Sequence, residues 1–205
     1  MRAIASVLFG AGLAIAGSAH GFGVGARIGT TGVGADVAWR LAPAVDVRVG
    51  YSALRWNRDV TTEGLRYDGH LRLSNLSGLV DFAALGPLLR VTGGVVYNDN
   101  RYELRAHPAA GGAIHGRVDA GRSLVPYLGL GAGRVAGAGI NLYSDVGVMF
   151  QGSPRARLTA DCAGLAPAAC AELRARAAAD EARLQDRLRR FRYYPVASIG
   201  LTIGF

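Results

Sequence analysis

Arginine and aspartate recur in this chain at alternate positions of short, glycine-rich segments. Arg27, Asp36, Arg40, Asp46, Arg48, Arg72, Asp81, Arg90 and Asp145 all stand in such settings, mostly between apolar neighbours. Alternation turns the charges to one face and the aliphatic residues to the other. Charges facing an enclosed space need partners, because an isolated buried ion is too costly to keep. The chemistry this predicts is mutual neutralisation, with Arg27, Arg48, Arg72 and Arg90 meeting Asp36, Asp81 and Asp145 in an internal ion-pair network. Two cysteines, Cys162 and Cys170, form a second chemical pair. His70 and Ser74 are a third candidate, for acyl chemistry, but four residues separate them. The bland reading of His70, a histidine at a loop edge, is preferred. No metal-ligand, phosphate-loop or dinucleotide pattern occurs, so neither catalytic residues nor a cofactor is predicted.

The elements that must carry these residues are strands. Phe22, Val24, Ala26 and Ile28 alternate with Gly23, Gly25, Arg27 and Gly29. Val33, Ala35, Val37 and Trp39 alternate with Gly34, Asp36, Ala38 and Arg40, and Val45 to Ser52 continues the pattern. Further strands are predicted over about 70–82, 89–98, 126–132 and 142–151, and a last one over 198–205. In the strand from His70 the apolar parity slips near Ser74-Asn75, which predicts a β-bulge. The last strand sets Ile199, Leu201, Ile203 and Phe205 against Ser198, Gly200, Thr202 and Gly204. One greasy face and one small polar face is the signature of a strand in a transmembrane barrel. The predicted fold is all-β: an eight-stranded antiparallel transmembrane β-barrel over 22–205.

The predicted connections support that reading. Apart from the tight Thr30-Thr31-Gly32 turn, short turns alternate with long polar stretches at 55–69, 100–120 and 152–192. Bacterial barrels have short periplasmic turns and long extracellular loops. The 152–192 loop contains a helix over about 167–191, with Leu173, Ala177, Leu184, Leu188 and Phe191 on one side. Glu172–Arg176 and Asp186–Arg190 are its expected i,i+4 pairs. Trp56, Tyr67, Tyr97, Tyr102, Tyr193 and Tyr194 are expected in an aromatic girdle near the outer interface.

The N-terminus predicts export. Arg2 precedes an uncharged apolar run from Ala3 to Gly17, and small residues follow at 17–19. This is the pattern of a secretory signal peptide, over 1–19, removed on export. An exported chain makes a Cys162–Cys170 disulfide the default. It also discounts nucleic acid as a partner despite a net charge of +8. All 23 basic residues are arginine, a side chain suited to bidentate contact with lipopolysaccharide phosphates.

Four segments resemble a known family. Gly25-Ala-Arg-Ile-Gly-Thr-Thr-Gly32, Tyr97-Asn-Asp-Asn100, Pro126-Tyr-Leu-Gly-Leu-Gly131 and Gly147-Val-Met-Phe-Gln-Gly-Ser-Pro154 are similar to CarO-type outer-membrane proteins, the carbapenem-associated, ornithine-uptake porins. The strand order, the aromatic tail and the helix before the last strand match as well. The resemblance implies a small barrel in the outer membrane of a Gram-negative bacterium, porin-like, passing small basic amino acids such as ornithine. Ser198, Gly200, Ile203 and Phe205 resemble the signal by which the barrel-assembly machinery recognises its clients. Outer-membrane lipid and lipopolysaccharide are the remaining expected partners. Eight strands leave an interior that side chains nearly fill, so a closed barrel that serves at the surface is the alternative to a channel, and an enzyme acting on lipid A is a remoter one.

Overall fold

The computed structural model describes residues 21–62, 65–87, 89–107 and 111–205. The predicted signal peptide lies outside them. Eight strands close a ring: β1 (Phe22–Gly29), β2 (Gly32–Ala42), β3 (Val45–Thr62), β4 (Leu65–Pro87), β5 (Arg90–Asn98), β8 (Leu124–Gly133), β9 (Gly139–Met149) and β11 (Tyr194–Gly204). Every pairing is antiparallel, and β11 returns to β1 with Ile203 opposite Val24 and Ile199 opposite Ile28. Backbone bonds between Phe22 and Phe205 in both directions finish the seam. Closure satisfies every strand edge in the ring, which a sheet in lipid requires.

The barrel is inverted relative to a water-soluble one. Ile140, Leu142, Val146, Leu128 and Ile199 are at least 56% exposed on its outside, while Asp36, Arg48, Thr92 and Thr202 are fully buried inside. Such a continuous apolar belt is far larger than the patches soluble monomers leave open to water. Lipid is the solvent that suits it.

On the side away from the two chain ends, part of the wall rises beyond the barrel. β3 and β4 pair without interruption from Val45↔Phe82 to Thr62↔Leu65. Above Ser74, β4 exchanges β5 for β6 (Arg101–His107), followed by β7 (Ala113–Asp119) and β10 (Arg155–Asp161). Stretches 55–69 and 100–120, expected as polar loops, are therefore mostly strands of this extension. The expected bulge is also absent: one register runs through Ser74-Asn75, with Asn75 opposite Ser52 and Leu73 opposite Leu54. What changes there is the surroundings. Below Ser74 the apolar face of β4 is the lipid face, with Leu76, Val80 and Phe82 exposed. Above it, Leu71 and Leu73 lie on the inner face, which helix α1 (Pro167–Leu188) partly covers.

Helix α1 leans on β10, and its side chains serve the free edge of that strand. The Leu158 amide donates to Glu181 Oε2 at 2.6 Å, and the Ala156 amide donates to Gln185 Oε1 at 3.0 Å. The Gln185 amide donates to the Pro154 carbonyl at 3.0 Å. An open edge would otherwise offer itself to another chain. Ala177 is buried, and Leu173, Leu184 and Leu188 are half-buried, as the helical stripe predicts, whereas Phe191 is 62% exposed. Asp186 pairs with Arg189 at 3.6 Å and Asp180 with Arg183 at 3.7 Å, both i,i+3 rather than the i,i+4 pairs expected. Cys162 and Cys170 are joined by a disulfide at the start of the helix.

Candidate functional site

The barrel lumen is built from the inward face of each ring strand. β1 supplies Arg27, β2 Asp36, β3 Arg48, β4 Asp81, β5 Arg90 and β9 Asp145. All are less than a tenth exposed. Arg48 Nη1 reaches straight across the lumen to Asp145 Oδ2 at 2.8 Å, and its Nε lies 3.3 Å from Asp81 Oδ2. Arg90 closes the group from the neighbouring wall, at 2.9 Å from Asp81 Oδ1 and 2.6 Å from Asp145 Oδ1. Two guanidinium groups and two carboxylates thus form a ring with no net charge. Arg27 Nη1 lies 3.1 Å from Asp36 Oδ1, and its other amino group donates to Ser77 Oγ at 3.2 Å on β4. Nearer the chain ends, Arg40 pairs with Asp46 at 3.1 Å.

Arg72 does not belong to this network. It is exposed on the outer face of β4, opposite Arg55 and Arg101 in the extension. The unbroken register fixes this, since residues of even number on β4 point outward from Asp68 to Ala84. Removing it leaves four arginines and four aspartates on the inner side, a balanced set.

Two tyrosines that the charge pattern passes over complete the plug. The Tyr143 hydroxyl donates to Asp36. Its ring stands beneath both central arginines, 5.0 Å from Arg48 Cζ and 5.7 Å from Arg90 Cζ, within range of a cation–π attraction. Tyr127 is packed with Leu79, Val96, Val125, Met149 and Val196 in a small apolar core. The signal for them lies in the glycines opposite. A Cβ on Gly131 would stand 2.5 Å from Arg90 Nη2 and 2.6 Å from Asp145 Oδ1. On Gly147 or Gly129 it would stand 2.5 Å from the Tyr127 hydroxyl. The lumen glycines are the room into which the large side chains lie.

The turn between β8 and β9 enters the lumen from the side of the chain ends. Val135 and Ala136 are fully buried. Thr202 Oγ1 donates to the Val135 carbonyl at 3.1 Å, Arg40 donates to the Ala136 carbonyl, and Asn141 donates to the Gly137 carbonyl at 2.8 Å. The free space above the charged ring, bounded by Arg27, Ser52, Asn75 and Tyr127, amounts to about 30 Å³. A cavity of that size has room for only a few water molecules.

The His70–Ser74 pair has no catalytic geometry. Four residues along an extended strand separate them by roughly 13 Å. His70 Nδ1 is bonded to Asn57 Oδ1 at 3.0 Å, and Ser74 Oγ to the Tyr51 hydroxyl at 3.1 Å. Of the expected girdle, Tyr97 and Tyr193 are exposed, at 53% and 61%, and Tyr194 is half-buried. Trp56 and Tyr102 instead share the inner face of the extension, Trp56 opposite Leu71 and Leu71 opposite Tyr102. The Tyr67 side chain lies outside the described residues. Ser198 and Gly200 face the lumen side of β11, while Ile203 and Phe205 face outward, Phe205 at 78% exposure.

No protein-family profile matches the chain, and no curated protein matches it significantly. Solved structures do. The chain is similar to Acinetobacter baumannii CarO, with 22% identity, 89% of this chain and 97% of that one covered, and a TM-score of 0.62. It is similar to Acinetobacter baumannii CarO2 with 20% identity, 90% and 98% coverage, and a TM-score of 0.61. The eight-stranded ring, the inverted burial and these likenesses agree, and the chain has the fold of a CarO-type outer-membrane β-barrel.

Proposed function

We propose that this chain is an outer-membrane barrel, exported by a signal peptide that is cleaved, whose resting lumen is closed and whose work is done at the cell surface. The observation that carries this reading is the Arg48–Asp81–Arg90–Asp145 ring, which spans the lumen from β3 to β9. A solute path would have to part four buried ions, and each unpaired ion costs several kcal/mol. The buried Val135-Ala136-Gly137 segment of the β8–β9 turn is a second obstruction in series. The extension and its helix offer an extracellular surface instead. Ser198, Gly200, Ile203 and Phe205 serve as the signal for the barrel-assembly machinery in this reading. No enzymatic role is proposed, since the similar solved proteins are barrels of the CarO type.

Porin-like facilitated diffusion of small basic solutes such as ornithine is the second reading. The likeness in fold to CarO favours it. It requires the ring and the buried 135–137 segment to move, and an amino-acid cation meets no excess of acid in a balanced lumen. Planar bilayers and proteoliposomes separate the two. The closed reading expects no stepwise conductance from the refolded protein and ornithine uptake equal to that of empty vesicles. Saturable uptake above that background sinks it in favour of the channel. Sequencing the N-terminus of protein from the outer-membrane fraction tests export: it should begin just after the 1–19 segment.

A further inference from the structure

Beside the barrel rim, at the top of the lipid belt, lies a shallow depression of about 430 Å³ formed where β8, β9, β10 and β11 meet. Arg122, Arg155 and Arg192 stand around it, and Phe150 and Tyr193 form its lower lip with rings 5.6 Å apart, edge to face. All three arginines are exposed, and no acidic residue lines the depression. Among the described residues none of the three has an ion-pair partner. Asp119, the residue opposite Arg155 in the β7–β10 register, is already held by Arg101 and Arg117 at 2.9 and 2.8 Å.

The backbone holds this place open. Gly152 has φ of 71°, and its amide donates to the Arg192 carbonyl at 3.1 Å, which ties the end of β9 to the segment entering β11. Ser153 Oγ reaches the Arg189 carbonyl at 3.5 Å. Three like charges are thereby kept together without a counter-ion from the chain. Their mutual repulsion is relieved by a polyvalent anion, and guanidinium matches phosphate oxygens bidentately. The location narrows the source of that anion. Immediately below are Phe150, at 39% exposure, and the lipid-facing residues Leu124 and Val146, at 62% and 67%.

We propose that this depression binds a phosphate group of lipid A, with Arg122, Arg155 and Arg192 on the phosphate, Phe150 and Tyr193 against the sugar edge, and the acyl chains along the β8–β9 belt. The proposal rests on the reading of the chain as an outer-membrane protein. Its test is made with purified protein in detergent, so it fails or succeeds independently of localisation and of conductance.

Native mass spectrometry of the refolded protein, titrated with diphosphoryl lipid A, counts the bound molecules. One lipid A is expected to stay bound at collision energies that strip detergent. Chemically dephosphorylated lipid A and phosphatidylglycerol are expected to bind roughly tenfold more weakly or worse, a comparison that needs no variant. The Arg122→Gln/Arg155→Gln/Arg192→Gln variant is expected to lose the preference for the phosphorylated form while keeping the folded-barrel mobility on unheated gels. Arg72→Gln, with its arginine elsewhere on the outer face, is expected to bind as the unaltered protein does. Equal binding of the phosphorylated and dephosphorylated lipids overturns the proposal. So does equal binding of phosphatidylglycerol, or a triple variant that folds and retains the preference. If the triple variant does not fold, Arg192→Gln alone is titrated, and an unchanged preference there counts against the site.

Discussion

Replacing Arg48 by methionine tests whether the lumen ring is a coupled electrostatic unit. Methionine keeps much of the length of the arginine stem but removes its charge. Asp81 and Asp145 then share only Arg90, and the fully buried ring carries one uncompensated negative charge. At a separation of ~4 Å and an effective dielectric of ~20, each ion pair is worth ~4 kcal/mol before desolvation. Arg48 makes two such contacts, with Asp81 and Asp145. Part of the gain is offset because the arginine itself no longer has to be dehydrated. Breaking a buried pair from one side costs about 3–5 kcal/mol on balance, and that is the expected loss. Asp145→Asn leaves the opposite imbalance and should cost a similar amount. The double variant R48M/D145N restores neutrality, since Arg90 and Asp81 remain paired at 2.9 Å. Its loss should fall short of the sum of the two single losses by about 2–3 kcal/mol. The assay is urea unfolding in lipid vesicles, followed by the fluorescence of Trp39 on the barrel wall in a Trp56→Phe background. A loss for R48M below about 1 kcal/mol, or losses that simply add, would refute the view that these charges are desolvated and interdependent.

Two further perturbations probe the extension. Asp119 is outside the membrane belt, and its carboxyl is held below the ordinary carboxylate range: burial pushes it up, but hydrogen bonds and charge from Arg117 and Arg101 outweigh that. A lowered folded value means stability that is complete above about pH 4 and is lost as pH falls through the lowered value. Pepsin cleavage within 113–119 should accelerate between about pH 4 and pH 2 in the unaltered protein. In Asp119→Asn it should be fast throughout, and a flat profile in the unaltered protein would count against the ion-pair anchor. Reducing the Cys162–Cys170 bond, which closes a loop at a sequence separation of 8, should weaken the start of α1 by about 2–3 kcal/mol. Proteolysis near residues 162–170 reads this, while the barrel's mobility on unheated gels should not change.

Much of the ring was legible in the sequence, because in a barrel each strand carries its own instruction. Period-two alternation fixes which side chains face lipid and which face the lumen. The facing of Arg27, Asp36, Arg48, Asp81, Arg90 and Asp145 follows from the residue on either side. The helix was legible as well, since Pro167 starts a stretch without glycine in which aliphatic residues recur at helical spacing.

Local pattern misled where the solvent changes along one strand. At Ser74-Asn75 the apolar parity reverses because β4 passes from lipid into the extension, where the greasy side is the one turned to the helix. A sequence window sees the reversal but not its cause, and a bulge is the simplest local account of it. That account turned Arg72 inward, whereas the unbroken β3–β4 register turns it out. The strands of the extension had alternation of their own in Tyr102, Leu104 and Ala106 and in Ile114, Gly116 and Val118. Their charged partners made them read as loop.

By itself, then, the sequence determined the barrel, the inverted facing of its strands and the stock of charges inside, because these depend on neighbours one or two residues apart. Which arginine meets which aspartate was decided only by tertiary closure. Arg48 and Asp145 come from opposite walls, and Tyr143 reaches Asp36 from a strand far away in the chain. The burial of residues 135–137 and the gathering of Arg122, Arg155 and Arg192 at one rim were decided in the same way. Each depends on where the closing ring brings distant segments together, and no local pattern carries that information.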